Sequence, residues 1–260
     1  MEKQDKKDKL VILNMDDLQN NLVNILKFLI EKDVIYGIKI ELAQNIIPIE
    51  ALYNLNEFRK FIPLVIKIGG CEAKNDIFDA QNLDVSGICV PMIETPYSLI
   101  KFVDSVNNFF ASRKNTLDLY ANIETYIGFQ NLEKILSLKQ ADDIKGIILG
   151  RDDMVGSLGL DENSVNSEKV FDIAVKMSKI AEKYNKEFSL GGKIRPEAVP
   201  FLKKMGKYHL DKIETRMIIF NSKKLLSYNN IETFILKAVE FEIVWLKYIR
   251  VIKGFKYINI

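Results

Sequence analysis

The chain has 260 residues, and 37 Lys and Arg face 35 Asp and Glu, which gives a formal net charge of +2. A chain so close to neutral is not built to neutralise many phosphates, so we expect no nucleic acid among its main partners. The hydrophobic share of 48% and the charged share of 28% are typical of a globular protein, and the length is close to that of a (β/α)₈ barrel.

Histidine and cysteine are too rare for several kinds of site. The only histidine is His209, so a zinc site with several histidine ligands is excluded. The two cysteines, Cys71 and Cys89, cannot build a disulfide framework, which is typical of a reducing compartment. Any bound metal must therefore depend mainly on oxygen ligands, and these favour Mg²⁺ or Mn²⁺.

The N-terminal residues 1–9 form a polar tail that lacks the apolar segment of a signal peptide. No segment of the chain is both long and charge-free enough to span a bilayer. We therefore expect a cytoplasmic protein with no membrane partner.

After this tail, short apolar β-branched segments alternate with segments of helical spacing. The predicted strands cover residues 10–13, 34–42, 64–68, 87–90, 117–123, 146–149, 188–190 and 213–220. Helical spacing is found over residues 18–29, 49–58, 99–110, 129–138, 170–181 and 196–205. Because parallel strands need crossovers of this length, the alternation predicts repeated βαβ units.

Two α/β architectures produce such an alternation, an open doubly wound sheet and a closed barrel. No G-x-G-x-x-G follows any predicted strand, and acidic residues follow strands along the whole chain. A closed barrel collects its chemistry at the carboxyl ends of all its strands. The sequence therefore predicts a (β/α)₈ TIM barrel over residues 10–228.

The last segment, residues 229–260, is predicted to be a helical extension of that barrel. Residues 231–252 are apolar nearly all round, so a helix there must be buried on several sides. Two interpretations stay open, because the helix can cap the barrel of its own chain or lie at a subunit interface. The second makes a homo-oligomer the expected assembly.

Carboxylates lie at the ends of four of the predicted strands. They are Glu41, Glu94, Glu124 and the pair Asp152–Asp153. Carboxylates at neighbouring strand ends are natural ligands of one divalent cation, with the remaining positions left to water and substrate. The alternative is a structural ion network in which these acids pair with basic side chains, namely Lys39, Lys67 and Arg151.

Four segments resemble a known family when they are taken in chain order. They are VIKIGGCEA, GICVPMIET, ANIETYIGFQNLEKIL and IILGRDDMVGSLGL. Together they are similar to the landmarks of the citrate lyase β-subunit and 2-keto-3-deoxy-acid aldolase family, within the phosphoenolpyruvate/pyruvate-domain TIM-barrel superfamily. The resemblance extends from about Tyr36 to Phe220 and implies a (β/α)₈ barrel that binds Mg²⁺ or Mn²⁺.

The resemblance also assigns residues. It implies that Glu124 and Asp153 bind the metal, and it places Asn122 where aldolase members carry a glutamine. Lys67 stands where the family has an arginine that holds the substrate carboxylate and steadies the enolate. Lysine lacks the bidentate fork of arginine, so this contact would become a point-charge contact.

Backbone and side-chain groups near these positions complete the predicted substrate site. Gly69, Gly70 and the loop of residues 156–159, which contains Ser157, would let backbone amides approach the substrate.

The identity of the general base stays open, because the catalytic histidine of the aldolase members has no counterpart in this sequence. The options are Glu41, Glu94 or a water molecule on the metal. A rival mechanism uses Lys67 as a Schiff-base nucleophile, although neighbouring carboxylates favour its charged, non-nucleophilic form.

The sequence thus predicts a divalent-metal-dependent carbon–carbon lyase or aldolase acting on a 2-oxoacid or a related hydroxy acid. Two alternatives stay open, an acyl-CoA thioester lyase of the citrate-lyase-like type and a non-catalytic metal-binding barrel. The expected partner is a small-molecule oxoacid or acyl-CoA substrate.

Overall fold

The structure is a computed structural model that describes residues 10–12, 14–42, 60–111, 116–254 and 257–259. The predicted polar tail 1–9 and the predicted helix 49–58 lie outside these residues.

Eight strands, in chain order, close into a barrel, which confirms the predicted fold class. The first strand of the chain, β1 (Leu10–Ile12), precedes it. The barrel strands are β2 (Ile35–Glu41), β3 (Leu64–Lys67), β4 (Gly87–Val90), β5 (Asp118–Asn122), β6 (Gly146–Gly150), β7 (Glu187–Gly191), β8 (Lys212–Glu214) and β9 (Ile218–Asn221). From β2 to β8, each strand pairs in parallel with the next one along the chain. We call the carboxyl ends of these strands the upper end of the barrel and their amino ends the lower end.

The first predicted strand was wrongly assigned to the barrel. Strand β1 pairs antiparallel with β10 (Tyr257–Asn259) in a separate two-stranded sheet. Its place in the barrel is taken by β9, which pairs antiparallel with both β2 and β8. In a regular (β/α)₈ barrel a helix follows each strand. Here β9 follows β8 with no helix between them and runs back in the opposite direction.

The predicted eighth strand, residues 213–220, was also wrong, because it is two strands joined by a turn at residues 215–217. Thr215 makes this turn. Its backbone N–H donates to the carbonyl oxygen of Ile218 at 2.9 Å, and its hydroxyl accepts from the backbone N–H of Ile218 at 3.0 Å. A hydroxyl side chain can thus close a turn that contains no glycine or proline.

Helices cover the outside of the barrel. They are α1 (Met15–Glu31), α2 (Lys74–Asn82), α3 (Pro96–Phe110), α4 (Tyr126–Leu136), α5 (Arg151–Ser157), α6 (Glu168–Lys183), α7 (Val199–Met205), α8 (Ser222–Leu226) and α9 (Ile231–Ile252). Polar side chains start several of them; the hydroxyls of Thr95 and Thr125 accept backbone N–H groups of the first turns of α3 and α4. Such caps fix where each strand ends and its helix begins.

The C-terminal helix α9 has the predicted bounds and packs against α1 of its own chain. The rings of Phe28 and Phe234 stack with centroids 5.9 Å apart at this contact. Leu236 and Ile243 stay exposed on the opposite side. Among the helices of the described residues, none is long and apolar enough to cross a membrane.

The barrel interior is apolar only in part. Outward-facing strand residues join the helices in one large core, whereas a small inner cluster consists of Val65, Cys89, Tyr120, Ile148 and Ile219. Charged side chains lie above and below this cluster. The interior therefore has two polar ends that are separated by an apolar layer.

Candidate active site and metal-binding cavity

A cavity of about 410 Å³ opens at the upper end of the barrel. Its lining includes five predicted site residues, namely Glu41, Lys67, Asn122, Glu124 and Asp153. The first three are the last residues of β2, β3 and β5, so parallel pairing aligns their side chains at one edge. The upper end is where barrel enzymes of this type place their catalytic groups.

Glu124 is the most deeply placed of the acidic residues that follow the strands, with 2% of its surface exposed. Its Oε2 accepts a hydrogen bond from Asn122 Nδ2 at 2.9 Å, and its Oε1 accepts the backbone N–H of Met92 at 3.1 Å. Burial raises the pKa of the Glu124 carboxyl, and the nearby charge of Asp153 adds to that, whereas Lys67 and these hydrogen bonds lower it. The carboxylate is thus held in one orientation near the charge of Lys67.

Asp153 reaches the cavity from the first turn of α5, directly after β6. The last residue of β6 is Gly150, and a Cβ atom there would lie 2.5 Å from Glu124 Oε2. Only glycine leaves that space to the carboxylate. The strand end is therefore shaped around Glu124.

This donor set fits a hard divalent cation. Carboxylate oxygens are ligands that Mg²⁺ and Mn²⁺ prefer, and one or two protein carboxylates usually suffice for Mg²⁺. Within the described parts of the chain, no group of three His, Cys, Asp or Glu side chains is arranged to hold a metal. Glu124 and Asp153 would therefore leave most coordination positions to water and substrate.

Two lysines enter the cavity from neighbouring strands. Lys67 Nζ lies 3.5 Å from Glu41 Oε1, and both side chains remain partly accessible. Lys39, which lies deeper, is paired with the buried Glu214 at 2.5 Å. Burial is the largest single effect and lowers the pKa of Lys39, but the surrounding charge interactions, with that of Glu214 the strongest, and the hydrogen bond to Glu214 together raise it above its usual value.

Cys89 lies near this pair, and its thiol donates to Asn122 Oδ1 at 3.0 Å. Burial raises the pKa of Cys89 to about 12, so the thiol stays neutral at physiological pH. It acts as a hydrogen-bond donor that orients Asn122, and through Asn122 it supports Glu124.

Four other predicted site residues lie outside the cavity lining. Gly69 is exposed and donates its N–H to Asp76 Oδ2 at 2.7 Å, and a Cβ atom at Gly70 would contact nothing. Ser157 accepts the backbone N–H of Tyr126 and donates to the carbonyl oxygen of Met154, both at 2.9 Å. Glu94 is half-buried next to α3. These residues shape the surrounding loops.

Arg151 has a different role from the one expected in an ion network. Its fully buried guanidinium donates to the carbonyl oxygens of Gly191 and Gly192 and to Asn166 Oδ1. Burial lowers the pKa of Arg151 to about 10. The side chain therefore ties the loop after β7 to the start of α5. Asp152 instead lies 3.1 Å from Lys193 Nζ.

Sequence reasoning did not assign Lys39, Glu214, Arg195, Arg216 or Glu242 to the site, yet all five line the cavity. Glu242 comes from α9, whose pattern predicts only a buried helix. Arg195 follows the sequence GGKI and Arg216 lies in the sequence ETR, but neither position shows which way its side chain points.

Comparisons with known proteins concern the family and the fold of this chain. The family model for the HpcH/HpaI aldolase/citrate lyase family matches residues 64–187, which confirms the resemblance. No curated protein sequence matches the chain significantly.

Solved structures share the fold at low sequence identity. An HpcH/HpaI aldolase/citrate lyase family protein from Burkholderia cenocepacia is 14% identical with a TM-score of 0.54, over 68% of this chain and 77% of that chain. The citrate synthase SbnG is 14% identical with a TM-score of 0.54, over 74% and 88% of the two chains. Macrophomate synthase is 16% identical with a TM-score of 0.54, over 76% and 83%.

Proposed function

We propose that this chain, whose residues 64–187 match the HpcH/HpaI aldolase/citrate lyase family, is a divalent-metal-dependent carbon–carbon lyase that acts on a 2-oxoacid. One observation carries the proposal. The buried Glu124 carboxylate, held by Asn122, shares a cavity with Asp153 and with the ammonium group of Lys67. This combination suits an enolate, because it provides oxygen ligands for a cation and a positive charge at one place.

Each of these residues has a separate role in enolate formation. Glu124 and Asp153 would hold Mg²⁺ or Mn²⁺, which when bound supplies Lewis-acid polarisation of the keto oxygen. Lys67 places its charge where the oxyanion develops, and the contact with Glu41 at 3.5 Å keeps its ammonium group in the cavity. Glu41 is the candidate base that lines the cavity, since Glu94 does not.

The first experiment follows exchange of the methyl protons of pyruvate for deuterium by NMR, with Mg²⁺ or Mn²⁺ and then with EDTA. We expect exchange that EDTA stops. Exchange that survives EDTA would contradict metal dependence and support a Schiff base on Lys67, which borohydride trapping would detect. Absence of exchange would contradict the pyruvate-enolate proposal and favour the thioester lyase or the non-catalytic barrel.

A second experiment tests the ligand assignment by titration with Mn²⁺. Glu124→Gln and Asp153→Asn should each weaken Mn²⁺ binding by more than the roughly 10–100-fold that loss of a supporting residue costs. The matched control is Asp152→Asn, which removes the adjacent carboxylate that lies 3.1 Å from Lys193, and it should weaken binding only slightly. Equal effects of Asp152→Asn and Asp153→Asn would overturn the assignment.

A further inference from the structure

Five charged side chains of alternating sign follow one another along the cavity rim, and we call them the rim row. It begins with Lys67 beside Glu41. Glu41, Arg216 and Glu242 line one small crevice next to the cavity. Glu242 then lies 3.6 Å from both Arg216 and Arg195. The rim row contains three cations and two carboxylates, so it favours an anionic ligand.

Glu242 is the unusual member of the rim row, because it comes from α9 and is almost fully buried. Its Oε2 atom receives no hydrogen bond within the described residues. Its distances to the two guanidinium groups, 3.6 Å each, exceed the roughly 2.7–2.9 Å of a charge-assisted hydrogen bond. Glu242 therefore attracts both arginines electrostatically, and neither contact is short enough to be a hydrogen bond.

The two arginines differ from Lys67 in what they can recognise. A guanidinium presents a planar fork that binds a carboxylate through two hydrogen bonds, whereas an ammonium is a point charge. Both arginine side chains line the cavity and remain more than two-fifths exposed. The planar guanidinium groups of the two arginines thus lie at one part of the rim, and the ammonium group of Lys67 lies at another.

We propose that Arg195 and Arg216 form a second anion subsite, which binds a carboxylate at the end of the substrate remote from the 2-oxoacid group. This proposal rests on the proposed function for the 2-oxoacid end alone. Glu242 is a positioning residue, and through it the C-terminal helix belongs to the substrate site. The cavity volume of about 410 Å³ falls within the range of roughly 300–1,000 Å³ that holds ligands much larger than pyruvate.

The test compares two ligands of equal chain length by calorimetric titration in the presence of Mn²⁺. 2-Oxoglutarate carries a distal carboxylate, and 2-oxopentanoate carries a methyl group there. We expect the parent protein to bind 2-oxoglutarate about tenfold more tightly, since a hydrogen-bonded charge pair contributes about that factor. Arg195→Met and Arg216→Met should each remove most of this preference and leave the affinity for 2-oxopentanoate nearly unchanged.

Arg250→Met is the matched control, because Arg250 is an exposed arginine in the last turn of α9 and does not line the cavity. It should keep the full preference. Circular dichroism of all three variants would show that each is folded. Equal affinity of the parent for both oxoacids would overturn the second subsite and leave the proposed function intact.

The proposed function can also fail while the second subsite is still supported. If neither oxoacid binds, the proposed function fails, and glutarate and pentanoate then test the subsite without a keto group. Glutarate binding that Arg195→Met and Arg216→Met weaken would support the subsite. Failure of glutarate to bind, or binding that these substitutions do not change, would overturn it.

Discussion

The two polar ends of the barrel interior differ in how closely opposite charges approach. At the lower end, Lys212 Nζ lies 2.5 Å from Glu187 Oε2 and 2.8 Å from the hydroxyl of Tyr120. Its ammonium group also lies over the Tyr36 ring, 3.9 Å from the centroid. At the upper rim, the contacts of Lys67 with Glu41 and of the arginines with Glu242 are 3.5–3.6 Å long.

Under the two proposals, this difference separates charges that close the lower end of the barrel from charges that bind a ligand at the upper end. Hydrogen-bonded ion pairs at the lower end leave little electrostatic interaction to be gained by a third group. The longer contacts at the rim keep opposite charges near each other without a short hydrogen bond between the two partners of each pair. Under the proposed function, these longer contacts lie at the end of the barrel that binds substrate.

The largest loss of stability is expected for the Lys39–Glu214 pair at the floor of the cavity. This pair is buried, whereas a partly accessible pair like those of the rim would cost little to break. Lys39→Met leaves the buried Glu214 carboxylate without its 2.5 Å partner and should lower the free energy of unfolding by about 3–5 kcal/mol. The double substitution Lys39→Met/Glu214→Leu should recover most of this loss, since it removes both buried charges. Urea denaturation of the three proteins measures both values, and a double variant no better than the single one would contradict the charge-burial cause.

At the lower end, Lys212→Met should lower the free energy of unfolding by about 2–3 kcal/mol, because it removes a nearly buried ion pair and the contacts with two tyrosine rings. Mn²⁺ binding should not change, as the substitution lies at the opposite end from Glu124. Lys145→Met is the control; this lysine is 3.1 Å from Asp118 but is well exposed, so the loss should stay below about 1 kcal/mol. Weaker Mn²⁺ binding in Lys212→Met would show that the two ends are coupled.

Gly150→Ala tests the space that β6 leaves to Glu124. The added methyl group would meet the carboxylate at 2.5 Å, so Glu124 must shift, at a cost of about 1–3 kcal/mol in stability. Mn²⁺ binding should weaken as well. Gly156→Ala is the control, because a Cβ atom there contacts nothing. Parent-like Mn²⁺ affinity in Gly150→Ala would show that Glu124 is not the ligand.

The smallest change in stability is expected at the rim itself. Lys67→Met breaks a partly accessible contact of 3.5 Å and should change the free energy of unfolding by less than about 1 kcal/mol. Under the proposed function, the same substitution should greatly reduce deuterium exchange into pyruvate. A loss of stability as large as that of Lys39→Met would remove the distinction between rim and floor.

Much of the fold can be predicted from the sequence, because period and composition agree along most elements. Helix α9 has the bounds that its apolar content predicts, and the predicted strands at 87–90 and 146–149 match β4 and β6 within one residue. The error at 213–220 has a local cause. Six of its eight residues are apolar or β-branched, and the turn depends on one threonine hydroxyl rather than on glycine or proline.

The site could be predicted only where a carboxylate lies at a strand end or where the family resemblance assigns a residue. Glu124 and Asp153 belong to both classes and Lys67 to the second, and all three line the cavity. Glu214 and Arg216 flank the β8–β9 turn, so their positions depend on how the barrel closes. Glu242 depends on the packing of α9 against α1, which joins residues far apart in the chain. No local pattern encodes such a placement.

The antiparallel strand β9 also has a consequence for synthesis on the ribosome. Ile35 of β2 pairs with Phe220 of β9, so one edge of the first barrel strand has no partner until nearly the whole barrel has been translated. During that time β2 and β8 both present open edges, which are sites for wrong pairing with other chains. The nascent chain is therefore most vulnerable to aggregation just before residues 218–221 emerge, and slower elongation at that point would prolong the risk.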